Sequence, residues 1–82
     1  MFDISVGVAS NAAAVMPNDD SDLDNIGVLY VGGAGDVSVL LDGQADNAPV
    51  TFVGVPAGSW LPVRVRRVRN TDTTATDILL VW

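Results

Sequence analysis

The chain has 82 residues, ten aspartates against four arginines, a net charge of −6, and no cysteine, histidine, lysine or glutamate. These absences exclude disulfides, thiolate metal sites and cysteine nucleophiles, and they remove the usual acid–base groups, so no Ser–His–Asp or Cys–His constellation can be assembled. The acidic balance argues against non-specific binding to nucleic acid or anionic membrane, and no apolar run approaches the ~20 residues of a membrane span.

A domain this short buries only about 60–65% of the surface its unfolded form exposes, and folds of this size often rely on oligomerisation. Zinc lacks its normal nitrogen and sulfur ligands here. The composition therefore predicts a soluble, non-enzymatic domain made in the cytoplasm, with no cofactor and no metal. An enzyme would need an aspartate cluster holding a metal, and no second feature supports one.

Along the chain, Phe2-Asp3-Ile4-Ser5-Val6-Gly7-Val8 alternates strictly, with Phe2, Ile4, Val6 and Val8 on one side. Period two reads as a half-buried strand. It is either an arm that pairs outside its own domain or the first strand of the domain's sheet. Asn11-Ala12-Ala13-Ala14 follows without Lys or Arg ahead of it, so the start does not read as a secretory signal. The acidic stretch from Pro17 to Asn25 then reads as a solvated linker.

From Ile26 the pattern is strand after strand: Ile26–Val31, Asp36–Leu41, Val50–Val55, Trp60–Arg69 and Asp77–Trp82. Val, Ile, Thr and aromatics fill these segments, and Gly, Pro, Asn and Asp fill the gaps. No segment has a helical period, so the fold class is all-β, a small antiparallel β-sandwich or barrel with an extended N-terminal arm. Residues 1–18 read as arm and linker and 19–82 as the sandwich domain.

Strand Asp36–Leu41 is two-faced, with Val37, Val39 and Leu41 inward and Asp36 and Ser38 outward. Two other strands are apolar on both faces. Ile26, Val28 and Tyr30 oppose Leu29 and Val31, and Ile78, Leu80 and Trp82 oppose Leu79 and Val81. A lone small sandwich presents one wet face per strand, so a neighbouring subunit is the expected cover.

Three stretches invite a chemical reading. Gly33-Ala34-Gly35-Asp36-Val37-Ser38 begins like a dinucleotide fingerprint, but Ser stands where the third Gly belongs and alternating β-sequence follows instead of a helix. A P-loop lysine is also missing. Gly32, Gly33 and Gly35 are therefore predicted to form a hairpin turn.

Asp20, Asp22 and Asp24 align with a calcium loop, yet Asn25 takes the required glycine position and Val31 the bidentate glutamate position. All four arginines, Arg64, Arg66, Arg67 and Arg69, lie within six positions. Arg64 and Arg66 share one face, and Arg67-Val68 breaks the parity, which predicts a β-bulge or a change of faces there. The stripe reads as a subunit contact or aspartate-pairing surface. A phosphate-backbone site and a solvated edge are weaker readings, since no aromatic platform interleaves the arginines. Pro62 suits an edge or a strand start. Trp60 and Trp82 are expected in the core, although aromatics are also common at interfaces.

Tyr30-Val31-Gly32-Gly33-Ala34-Gly35-Asp36-Val37, Val50-Thr51-Phe52, Val55-Pro56-Ala57-Gly58, Leu61-Pro62-Val63-Arg64-Val65-Arg66-Arg67-Val68 and Thr73-Thr74-Ala75-Thr76 occur in that order. Together they resemble the spike base and head decoration family of tailed bacteriophages and gene transfer agents, over residues 19 to 82. The resemblance implies a virion structural protein on the outer surface of the head. It implies a symmetric homo-oligomer, trimer or pentamer, seated on the major capsid protein and able to support a spike or fibre.

Residues 1 to about 16 depart from the family pattern, and an added strand-like arm suits anchoring by strand addition. The candidate interface residues are Phe2, Ile4, Val6 and Val8 on the arm, with Arg64, Arg66, Arg67 and Arg69 on the basic strand. No nucleic acid or membrane partner is expected. The alternative function is a receptor- or glycan-binding β module on the virion, with Trp60 or Trp82 stacking on sugar.

Overall fold

The computed structural model describes residues 9–82, so Phe2, Ile4, Val6 and Val8 lie outside the described residues. Six strands are present: β1 (Ala12–Ala14), β2 (Gly27–Gly33), β3 (Gly35–Leu41), β4 (Val50–Val55), β5 (Ser59–Val68) and β6 (Thr76–Val81). All pairings are antiparallel, in one sheet of order β1-β6-β2-β5-β3-β4. The fold is all-β, as the alternation predicts, and β2 to β6 fall within three residues of the predicted segments.

The sheet coils over its own inner face. Leu29 and Val31 of β2, Val37 and Val39 of β3, Val55, Val65, Val68, Ile78 and Leu80 form one buried cluster with Ala75. Each alternates with an outward neighbour along its strand, except where a bulge intervenes. Burial of such Val, Leu and Ile side chains stabilises by about 1.5–3 kcal/mol each, which is how so small a domain offsets its chain entropy. Pro62 sits where the β2–β5 register shifts, between Leu29↔Leu61 and Gly27↔Val65, a place where a missing N–H breaks no regular ladder.

The glycine-rich stretch is not the predicted hairpin turn. Only Ala34 separates β2 from β3, yet β5 lies between them in the sheet. Both are antiparallel to β5, so they run the same way and cannot be hairpin partners. Gly33, Ala34 and Gly35 instead make a corner, where the chain leaves β6 and the first half of β5 to join β4 and the second half of β5. The corner lies tight against the start of β6. A Cβ on Gly33 would collide with Thr76 Oγ1, and one on Gly35 would lie 2.6 Å from the Ala75 nitrogen. Gly32 likewise faces Asp77 within β2, where a Cβ would stand 2.9 Å from its carbonyl oxygen. Glycine is selected here by close backbone approach, and a hairpin would leave the same mark on the sequence.

Three further expectations change. Ala12–Ala14 pair with Leu79–Val81 of β6, so the sheet begins inside the segment read as arm and linker. Ser38 is fully buried despite its outward parity, because other chain segments cover that side of β3. Its backbone is held by the chain that follows β5: its N–H donates to Thr73 Oγ1 and its carbonyl accepts from Arg69 N–H. Trp60 is 57% exposed instead of buried, since it stands on the outer face of β5.

Gly35→Ala is expected to destabilise the fold by about 1–3 kcal/mol through overpacking against Ala75, a loss of roughly 4 °C or more in Tm. Gly43→Ala, where an added Cβ meets nothing within 4 Å, should stay within about 0.5 kcal/mol. Equal melting temperatures for the two variants would remove the corner's steric requirement.

Candidate functional site

The four arginines of β5 gather most of the molecule's polar organisation. Val65 and Val68 both point into the core, which simple alternation forbids for residues three apart. The pairing of β5 with β3 steps from Leu40↔Arg67 to Leu41↔Val65 and skips Arg66. Of the two readings of the broken parity this is the bulge, and it turns two consecutive arginines onto the outer side together. Their side chains are only 15% and 11% exposed.

Two adjacent guanidiniums repel unless carboxylates stand between them. Asp22 Oδ1 accepts from Arg66 Nη1 and from Arg67 Nε, each at 2.8 Å. Asp46 Oδ1 accepts from Arg66 Nη2 at 2.7 Å and lies 3.8 Å from Arg67 Nη2. Arg66 Nη2 also donates to the Gln44 carbonyl at 2.7 Å, and Arg67 Nη1 to the Asp19 carbonyl at 3.1 Å. The planar fork of Arg suits this sharing, where the point charge of Lys would not. Arg69 faces Asp19 at 3.9 Å. Arg64 reaches Asp42 at 3.4 Å and is the most exposed of the four, at 59%.

The acidic stretch is therefore docked, contrary to the solvated linker read from the sequence. Asn18 Oδ1 caps the N–H groups of Asp20 and Ser21 in an Asx turn. On either side of that turn, Asn18 N–H donates to the Val68 carbonyl and Leu23 N–H to the Arg66 carbonyl. The carboxylate of Asp19 takes both the N–H and the hydroxyl of Thr71, at 2.8 and 2.7 Å. Leu40 lies on the outer side of β3, outside the inner cluster, and is fully buried. It pairs directly with Arg67, whose apolar stem is its neighbour on that face.

These contacts set the ionisation of the aspartates. Thr71 donors, with Arg69 nearby, hold Asp19 below the ordinary value of 3.8. The hydrogen bond from Arg66, reinforced by the charges of Arg67 and Arg66, does the same for Asp46. Arg66 is pushed up in turn, chiefly by Asp46.

The other half of the outer face is apolar, with Trp60 exposed and its neighbours half-buried. In register across β6, β2 and β5 lie Leu79, Tyr30 and Trp60, with Val81 beside Val28 in the next row. The Tyr30 and Trp60 ring centroids are 5.0 Å apart at an interplanar angle of 59°, a tilted pair of the favourable kind. These strands, β2 and β6, are the ones read as apolar on both faces, and Trp60 beside them is 57% exposed.

Comparison with known proteins adds one finding. No family model matches the chain, and no curated protein does. Among solved structures, the chain is similar to a protein in the capsid of a native GTA (gene transfer agent) particle, computed with C5 symmetry. The TM-score is 0.78 with 28% identity, and the likeness covers 100% of both chains.

The lowered carboxylates fix the sign of an acid effect. A depressed folded-state pKa stabilises above the unfolded value and loses that contribution as pH falls through the folded value. Urea midpoints should therefore hold steady down to about pH 4 and decline below it. The decline should be shallower in an Asp19→Asn/Asp46→Asn variant. Identical acid slopes would mean the pairs contribute nothing.

Proposed function

We propose that this chain is a non-enzymatic structural protein of a phage-like or gene-transfer-agent capsid particle, decorating the outer surface of the head as cement or spike base. The observation that carries this is the end-to-end likeness to a chain of the GTA capsid. The order of glycine corner and arginine strand, which resembles the head decoration family, supports the same reading.

The mechanism is adhesive. A symmetric homo-oligomer, trimer or pentamer, forms through apolar strand faces and sits on the major capsid protein. A spike or fibre protein is a further partner of such a base. The Leu79–Tyr30–Trp60 row supports self-association, because an exposed Trp backed by half-buried apolar neighbours is a usual anchor of an interface. The arginine strand contributes indirectly, by holding the acidic stretch flat against β5. The glycan-binding alternative draws on the same exposed Trp60, and a screen against immobilised sugars separates it from an adhesive role.

Mixing the purified protein with shells of major capsid protein and imaging the particles tests the proposal. Density at three-fold positions indicates cement, density at five-fold vertices indicates spike base, and bare shells would defeat both. Trp60→Asp should weaken self-association by about 30-fold or more, the effect of losing a 2 kcal/mol hot spot. Its circular dichroism and melt should be nearly unchanged, since the side chain is exposed. Light scattering against concentration reads the difference.

A further inference from the structure

A cleft of about 190 Å³ opens between β1 and the end of the acidic stretch. Its walls follow from two short pieces of chain. Ala13 and Ala14 pair with Leu80 and Leu79 of β6, and their methyl groups are too small to fill the space beside them. On the other side Leu23 is held by the bond from its N–H to the Arg66 carbonyl, and Asp24 and Asn25 continue from it toward β2. Trp82 completes the lining. Its backbone is fixed from two directions, donating to the Asn11 carbonyl and accepting from the Asn11 N–H.

The lining has two characters. Ala, Leu and Trp side chains supply an apolar surface, and the exposed Asp24 supplies a carboxylate. No described residue gives that carboxylate a hydrogen bond or an ion pair, whereas Asp19, Asp22, Asp42 and Asp46 each face an arginine. The volume suits a single side chain, since a cavity of about 150 Å³ holds a benzene ring. Apolar walls with an anion and an indole among them fit a long aliphatic stem that ends in a cation.

No side chain of this protein has such a cation to spare. There is no lysine, and the four arginines already face aspartates of their own chain. The charge balance therefore points away from a second copy and toward a basic partner, which a net charge of −6 also attracts over distance.

We propose that this cleft receives one lysine or arginine side chain of a different protein, its stem against Ala13 and Leu80 and its charge beside Asp24 and Trp82. The chemistry of the cleft stands without the capsid reading; that the partner is a shell subunit rests on it.

Titrating ¹⁵N-labelled protein with N-acetyl-lysine methylamide, N-acetyl-arginine methylamide and the uncharged N-acetyl-norleucine methylamide tests the cleft directly. Shifts should centre on the Leu23 and Asp24 amides and the Trp82 indole, and should saturate at millimolar concentration for a cationic compound. Asp24→Asn should weaken this binding about fivefold, the effect of losing an exposed ion pair. Ala13→Leu, which fills the cleft, should abolish it. Equal binding of the norleucine compound, undiminished affinity in Asp24→Asn, or no shift at these residues would overturn the proposal. Shifts there on raising the protein concentration alone would put a second copy in the cleft and equally overturn it.

The shell is tested separately. Attachment to shells of major capsid protein should fall about fivefold in Asp24→Asn and hold in Asp20→Asn, which changes the charge equally but lies outside the cleft. Equal attachment of both variants would remove the shell subunit as the partner. Bare shells with the unaltered protein would defeat the capsid reading, while the titration still decides the cleft.

Discussion

The carboxylate of Asp22, held between Arg66 and Arg67, is the contact on which the rest of the arrangement depends. Without an anion there, a bulge that turns two guanidiniums to one side would be opposed by their mutual repulsion and by partial desolvation. With it, the bulge becomes a clamp. It draws the acidic stretch alongside β5, where Asn18 and Leu23 bond to the carbonyls of Val68 and Arg66 and Leu23 packs against the core cluster. One local irregularity thus converts charged surface into a second covering layer, which the thin inner core of so short a chain would otherwise lack.

The cover is one-sided, and the asymmetry has a functional consequence. Over β3 and the second half of β5, polar loops replace a second sheet. Over β6, β2 and the first half of β5, nothing described does so, and Tyr30 and Trp60 stand in contact with each other at the surface. An outer face that is polar and ion-paired over one half and apolar over the other is directional.

Strand positions were legible because alternation and burial share one cause, the period-two geometry of the backbone. The bulge was legible too, since Val65 and Val68 cannot both be inward without one. Strand neighbours were not, and the glycine corner shows why. Gly33 and Gly35 report that backbone comes close, but a hairpin partner and a crossing strand such as β6 press equally hard on a missing Cβ. The three alanines of β1 carry almost no periodic signal, having little side chain to place on either face. The docking of Asp19 and Asp22 was invisible because partners 44 to 52 residues apart leave no local pattern. The arginines did announce a need for carboxylates, without saying which.

Electrostatics narrows how copies of this protein meet. Each carries a net charge of −6, and all four arginines already face aspartates of their own chain. Few cations are left to offer a neighbour, so ion pairs are a poor source of attraction between copies, and long-range repulsion opposes approach until it is screened. What remains is short-ranged and uncharged: apolar area around Tyr30 and Trp60, and the open backbone of β4. Apolar burial does not specify direction, while backbone hydrogen bonding specifies both register and orientation. An acidic protein that keeps its cations for internal pairs presents a carboxylate-rich exterior, so any attraction between copies has to come from its uncharged surface.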